Sequence, residues 1–141
     1  MKILIATDAY FPQVNGVVRT LHETGEVLKE QGHSIEYITP ELFLTFPMPK
    51  YNEIRIAINV WPRVGSLIKK IKPDAIHIAT EGPIGTMARR YCLKNNLKFT
   101  TSFHTRFDKY LKLYFPIIPA KWAEKFLANF HNKAERILVT T

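Results

Sequence analysis

Short β-branched or aliphatic runs alternate with stretches of helical spacing along the chain, which leaves few folds open to it. The runs are Lys2–Thr7, Ser34–Thr39, Ile54–Ile58, Ala75–Thr80, Lys98–Phe103 and Arg136–Thr140. Strands that alternate with helices imply βαβ units, because parallel strands need a long crossover between them. The expectation is an α/β fold: an open, mainly parallel sheet with helices on both faces. Right-handed crossovers then bring the carboxyl ends of the strands to one edge, where folds of this kind bind ligands.

The first helix is the clearest. Val17, Val18, Leu21, Gly25 and Leu28 make one apolar or small stripe, with Glu23, Glu26, Lys29 and Glu30 outside it. Gly32 is placed to end it, since glycine tolerates the left-handed conformation of a helix stop. A second helix is expected from Pro62 through Leu67, Ile68 and Ile71 until Pro73 stops it. A third opens at Pro83, whose missing N–H costs nothing in the first turn, and continues to Asn95. The last helical region covers about 106–133 and is broken at Pro116–Pro119, while Phe43–Pro49 reads as a loop.

Length and composition remove several classes. The 141 residues suit one compact unit, and 46% hydrophobic with 23% charged residues is ordinary for a globular domain. Cys92 is the only cysteine, so no internal disulfide forms, and no Cys/His spacing suggests zinc. No apolar run reaches the ~18–20 residues of a membrane span. The chain starts on the strand-like MKILIAT without a secretory hydrophobic stretch, so a cytoplasmic location is the expectation. Twenty Lys and Arg against twelve Asp and Glu give a net charge of +8, which favours anionic partners without choosing among them.

Three segments carry candidate chemistry, and all fall at strand-to-helix handovers. In DAYFPQVNGVVRTL, Gly16 precedes the first helix, where free N–H groups face an anion. There is neither a GxGxxG fingerprint nor a Walker lysine, and Gly16 could equally serve an unusual φ angle. In HIATEGPIG, Glu81 either accepts from sugar hydroxyls or stabilises a helix N-terminus. In TSFHTRFDKY, His104 follows the fifth run directly; a lone histidine is as readily structural. KYNEIR adds Tyr51 and Arg55, and Arg55 either forks onto a phosphate or is simply solvated.

Taken in order, FPQVNGVVRTL, KYNEIR, HIATEGPIG and SFHTRFDKY resemble the N-terminal half of family 4 glycosyltransferases of the GT-B fold, in the mannosyltransferase and sulfolipid synthase-like branch. The resemblance runs from Met1 to the terminal ILVTT. It implies one of two Rossmann-like domains that face each other across a cleft, this one receiving the acceptor. It further implies that the loop at Asn15 and Gly16 approaches the donor diphosphate. His104 is the implied catalytic-site residue, bonding the transferred sugar, and Thr105 lines the acceptor pocket. Tyr51 and Arg55 match the segment that meets an acceptor phosphate, and Glu81 matches a recurring glutamate assigned here to the acceptor side. Arg19 belongs to the motif as a structural residue. The implied reaction moves a hexose, mannose among the candidates, from a GDP- or UDP-sugar to a lipid or phosphoinositol-type acceptor, with retention of configuration and no metal or cofactor.

One departure matters. The family's donor-binding pair, two Glu eight positions apart, has no counterpart among the nine Glu of this chain. Residues 1–141 are therefore expected to be a single acceptor-side domain without the C-terminal donor-binding domain, and inactive alone. Nine aromatics between Phe99 and Phe130 interleave with Lys109, Lys112, Lys121 and Lys125. That pattern suits peripheral contact with an anionic membrane, on its inner face, or a core helix with a solvated lysine face. A non-catalytic α/β binding domain for a phosphorylated ligand or protein is the competing expectation. The aromatics are not patterned like an RNA-binding sheet, which disfavours nucleic acid.

Overall fold

The computed structural model describes residues 1–13, 15–48, 51–103 and 116–139. Five strands form one parallel sheet: β1 (Lys2–Ala6), β2 (Ser34–Ile38), β5 (Ala75–Ile78), β6 (Thr100–Phe103) and β7 (Arg136–Val139), in the order β2-β1-β5-β6-β7. Four helices are described: α1 (Gly16–Glu30), α2 (Arg63–Ile71), α3 (Pro83–Lys94) and α4 (Ala120–His131). The α/β fold with its parallel sheet is as the sequence implied, and it is consistent with one half of a GT-B fold.

Alternation along β1 divides the core. Leu4 and Ala6 face α2 and α3, packing with Ile76, Ile78, Val64, Ile68, Ile84, Ala88 and Phe130 of α4. Ile3 and Ile5 face the other way, toward Val17 and Leu21 of α1. Each fully buried aliphatic side chain contributes roughly 1.5–3 kcal/mol of transfer free energy, so the two-sided burial of β1 suits its interior place between β2 and β5. Helix α1 ends as expected, with Gly32 at φ 93°.

Two expectations need correction. The run at Ile54–Ile58 does not join the parallel sheet. It belongs to β4 (Tyr51–Ala57), which pairs antiparallel with β3 (Thr45–Met48) in a separate two-stranded sheet. The stretch Phe43–Pro49 is accordingly not all loop. Its proline, Pro47, sits where the register shifts, and a two-stranded ribbon has a free edge on which a missing N–H costs nothing. Of the final helical region, α4 follows the expected break at Pro116–Pro119, and 104–115 lies outside the described residues.

Chain order positions the site. From β1 the chain passes through α1 to β2 on one side, then returns past β1 to β5 on the other. Strand order therefore reverses between β1 and β5, and the carboxyl ends of those two strands border the crevice where such sheets bind ligands.

Candidate functional site at the strand-order reversal

At this crevice β1 runs out into Thr7 and Asp8, and β5 into Thr80, Glu81 and Gly82. The Asp8 carboxylate accepts from the Thr80 hydroxyl at 2.7 Å, from Ile84 N–H at 2.7 Å and from Gly85 N–H at 3.2 Å. It thus occupies the amino end of α3, where backbone donors are otherwise unpaired. Burial pushes the Asp8 carboxyl up from its ordinary range, and the Thr80 hydroxyl and the backbone donors pull against that shift. Gly82 and Gly85 are sterically required: a Cβ at Gly82 would collide with the Asp8 carboxylate, and one at Gly85 with the Thr80 carbonyl. The Ile84 and Gly85 N–H groups at this helix end are thus already engaged and do not face a ligand.

The amino end of α1 differs. Asn15 caps it, its Oδ1 accepting from Val18 N–H at 3.0 Å. Among the described residues, Gly16 has no neighbour outside its own helix and chain neighbours within 4 Å of where a Cβ would stand. It begins the helix, and Gly32 is the one glycine with positive φ among the described residues, so an unusual backbone angle does not explain Gly16. Open space beside a helix N-terminus leaves room for an anion. Arg19 pairs on the surface with Glu23 at 3.2 Å.

Glu81 turns inward from the same crevice. It is 8% exposed, and its Oε1 lies 2.9 Å from Nε2 of His131, itself 6% exposed. Nδ1 of His131 in turn lies 2.8 Å from the buried Thr101 hydroxyl of β6. The three side chains join α3's approach, α4 and β6. Beside them runs a groove of about 460 Å³ lined by Val60, Glu81, Gly82, Pro83, Thr86, Met87 and Phe126.

Asn15, Gly16, Thr80 and Glu81 are thus brought to the carboxyl edge of the sheet. Arg55 lies in β4, where its Nε and Nη2 donate to the hydroxyl and carbonyl of Thr45 at 3.0 and 3.2 Å. Tyr51 is the first residue of β4. His104 and Thr105 lie outside the described residues. Asp8 and His131 had not been singled out from sequence. Asp8 had a local clue, a carboxylate directly after a buried strand; His131 had none, being 50 residues from Glu81. Among the described residues, no three His, Cys, Asp or Glu side chains gather as a metal site.

A doubly wound α/β sheet with helix amino ends and glycine turns at the order reversal defines a Rossmann-like ligand-binding domain. Residues 14–141 match the model of Glycosyltransferase Family 4, and the chain belongs to that family. It is similar to the alpha-monoglucosyldiacylglycerol synthase of Streptococcus pneumoniae, 23% identical over 79% of this chain and 28% of that protein. It is also similar to the GDP-mannose-dependent alpha-mannosyltransferase of Corynebacterium glutamicum, 24% identical over 98% of this chain and 37% of that protein. A sulfoquinovosyl transferase of Arabidopsis thaliana is 26% identical over 74% of the chain and 23% of its own length. The chain thus spans between about a quarter and a little over a third of these relatives.

Proposed function

We propose that this chain is the acceptor side of a retaining glycosyltransferase, moving a hexose from a GDP- or UDP-sugar onto a lipid or phosphoinositol-type acceptor. The observation that carries the reading is topological: β1 and β5 are parallel neighbours, and the segments leading from their carboxyl ends carry Asn15 and Gly16 at the amino end of α1 and Glu81 before α3. The α1 amides meet the donor diphosphate, the groove takes the acceptor, and His104 and Thr105 contact the transferred sugar and the acceptor. Tyr51 and Arg55 extend the acceptor side along β4. Relatives whose names specify diacylglycerol or GDP-mannose support this chemistry.

Charge developing on the leaving phosphate needs preorganised stabilisers, and these belong to a second, donor-binding domain. The enzyme works at the cytoplasmic face of an anionic membrane. Ile117 and Trp122, 93% and 69% exposed, lie in the same segment of the chain as the exposed Lys121 and Lys125 and suit that contact. No helix of the described residues is long and apolar enough to cross a membrane.

The test incubates the 141-residue chain, and separately a fusion to the donor domain of a relative, with radiolabelled GDP-mannose or UDP-glucose and lipid acceptors. Transfer by the fusion and none by the chain alone is expected. Brisk turnover by the chain alone would overturn the half-enzyme reading; a folded, donor-binding fusion that glycosylates no lipid would overturn sugar transfer.

A further inference from the structure

We infer that His131 is a positioning residue for Glu81: its imidazole, steadied by Thr101, holds the Glu81 carboxylate in the wall of the groove. This deepens the acceptor-side reading above and rests on it for what Glu81 does there. Glu81 lines the groove with Thr86, Met87 and Phe126, yet it is buried. A carboxylate so far removed from water needs a hydrogen-bond donor to stay in place, because burial without one is strongly unfavourable. His131 supplies that donor from α4.

The imidazole is oriented at both nitrogens. Nε2 lies 2.9 Å from Glu81 Oε1, and Nδ1 lies 2.8 Å from Thr101 Oγ1. A carboxylate only accepts, so Nε2 carries a hydrogen, and the Thr101 hydroxyl turns to serve Nδ1. The rings of Phe103 and Phe130 meet the imidazole edge-to-face, with centroids 5.9 and 5.1 Å away, and oppose its rotation.

Helix α4 does not depend on this bond for its place. Arg89 of α3 donates from Nε to the Phe130 carbonyl at 2.8 Å and from Nη2 to the Asn129 carbonyl at 2.6 Å. Its guanidinium stands 5.6 Å from the centroid of the Phe130 ring. Ala123, Leu127 and Phe130 are buried along the same helix. Those side chains and the arginine hold α4 with or without Glu81, so cutting the His131–Glu81 bond releases the carboxylate and not the helix.

The experiment reads the chain by itself first, by magnetic resonance of its isotope-labelled histidines. Imidazole spectra at neutral pH should show a hydrogen on His131 Nε2; a bare Nε2 would overturn the inference without any variant. His131→Gln keeps a donor near the place of Nε2, whereas His131→Asn keeps one only near Nδ1. Side-chain couplings should show one Glu81 rotamer in the unaltered chain and in His131→Gln, and averaging in His131→Asn. Hydrogen exchange of the α4 amides should stay within about threefold across all three. An unmoved Glu81 rotamer in His131→Asn, α4 exchange rising beyond that range, or failure of that variant to fold would overturn the inference, leaving His131 a structural residue. In the fusion to a donor domain, His131→Asn should lower kcat/KM for the acceptor by about tenfold or more, and His131→Gln should recover most of that loss. Equal losses in both would also count against positioning. An unaltered fusion that transfers no sugar counts against the glycosyltransferase reading alone, and the spectra still decide whether His131 holds Glu81.

Discussion

Asp8 and Thr80, 72 residues apart, hydrogen-bond in both directions: Asp8 N–H donates to Thr80 Oγ1 at 2.7 Å, and the Thr80 hydroxyl donates to Asp8 Oδ2 at 2.7 Å. The pair ties the end of β1 to the end of β5 where strand order reverses. The same carboxylate then reaches Ile84 and Gly85, so one side chain aligns β1, β5 and α3.

Thr80→Val keeps the shape of this tie and removes both hydrogen bonds. It leaves the Asp8 N–H unpaired and the carboxylate with backbone donors only, and should cost about 1–3 kcal/mol. Asp8→Ala should cost more, since it orphans two α3 amides and the Thr80 hydroxyl together. Urea denaturation of both variants checks the order; equal, sub-kilocalorie losses would mean that the tie is incidental.

Gly16→Ala separates folding from ligand approach. Beyond its chain neighbours and its own helix backbone, no atom of the described residues stands within 4 Å of the new methyl group, and alanine is favoured over glycine in a helix by up to about 1 kcal/mol. Stability should therefore hold or rise slightly. If the donor diphosphate meets this turn, sugar transfer by the enzyme containing this chain should fall by about tenfold or more, as misplacement by an ångström at a reacting group does. An alanine variant with full transfer activity would remove Gly16 from the donor site.

Strand and helix periodicity is local, so β1, β2, β5, α1, α2 and α3 were legible at close to their observed bounds. The partner of a strand is not local: Ile54–Ile58 has the composition of a sheet strand, and nothing in it says that it pairs with β3 instead of β1 or β5. Thr45–Met48 was hidden by Pro47, which forbids a central strand but not a bulged edge. The site was legible only as far as handovers from strand to helix. Asn15, Gly16 and Glu81 could be named because they follow strands or precede helices. That Asp8 would fill α3's amino end, and that His131 would hold Glu81, depends on side chains meeting across 76 and 50 residues.

Gly25 and Tyr37 form a close contact between α1 and β2. A Cβ on Gly25 would overlap the Tyr37 hydroxyl and approach its Cζ to 3.2 Å. That hydroxyl is buried with no hydrogen-bond partner among the described residues. Gly25→Ala should lose about 1–2 kcal/mol, overpacking outweighing the gain in helix propensity. Tyr37→Phe should be neutral or slightly stabilising, because it deletes an unsatisfied buried group. Together the changes should recover most of the loss, a coupling of about 1–2 kcal/mol in a double-mutant cycle. Strict additivity would show that the hydroxyl is not what excludes a side chain at position 25.

Cys92 lies in α3, 0% exposed within the main core, and burial pushes its thiol up to about 12. The thiolate is the reactive form, so iodoacetamide at pH 8 should leave the native chain unmodified and alkylate it fully in denaturant. The same shift sets a pH dependence. The folded state keeps the proton that the unfolded chain releases near the ordinary value of 9.0, so the stabilising contribution is whole below that pH. It is lost as pH rises from there toward about 12, because the unfolded state then binds fewer protons than the folded one. Cys92→Ala should lower stability at pH 7 by about 1 kcal/mol through the cavity it leaves, and should flatten the alkaline decline relative to the unaltered chain. Rapid native alkylation, or parallel alkaline profiles for the two proteins, would show that the thiol ionises within the fold.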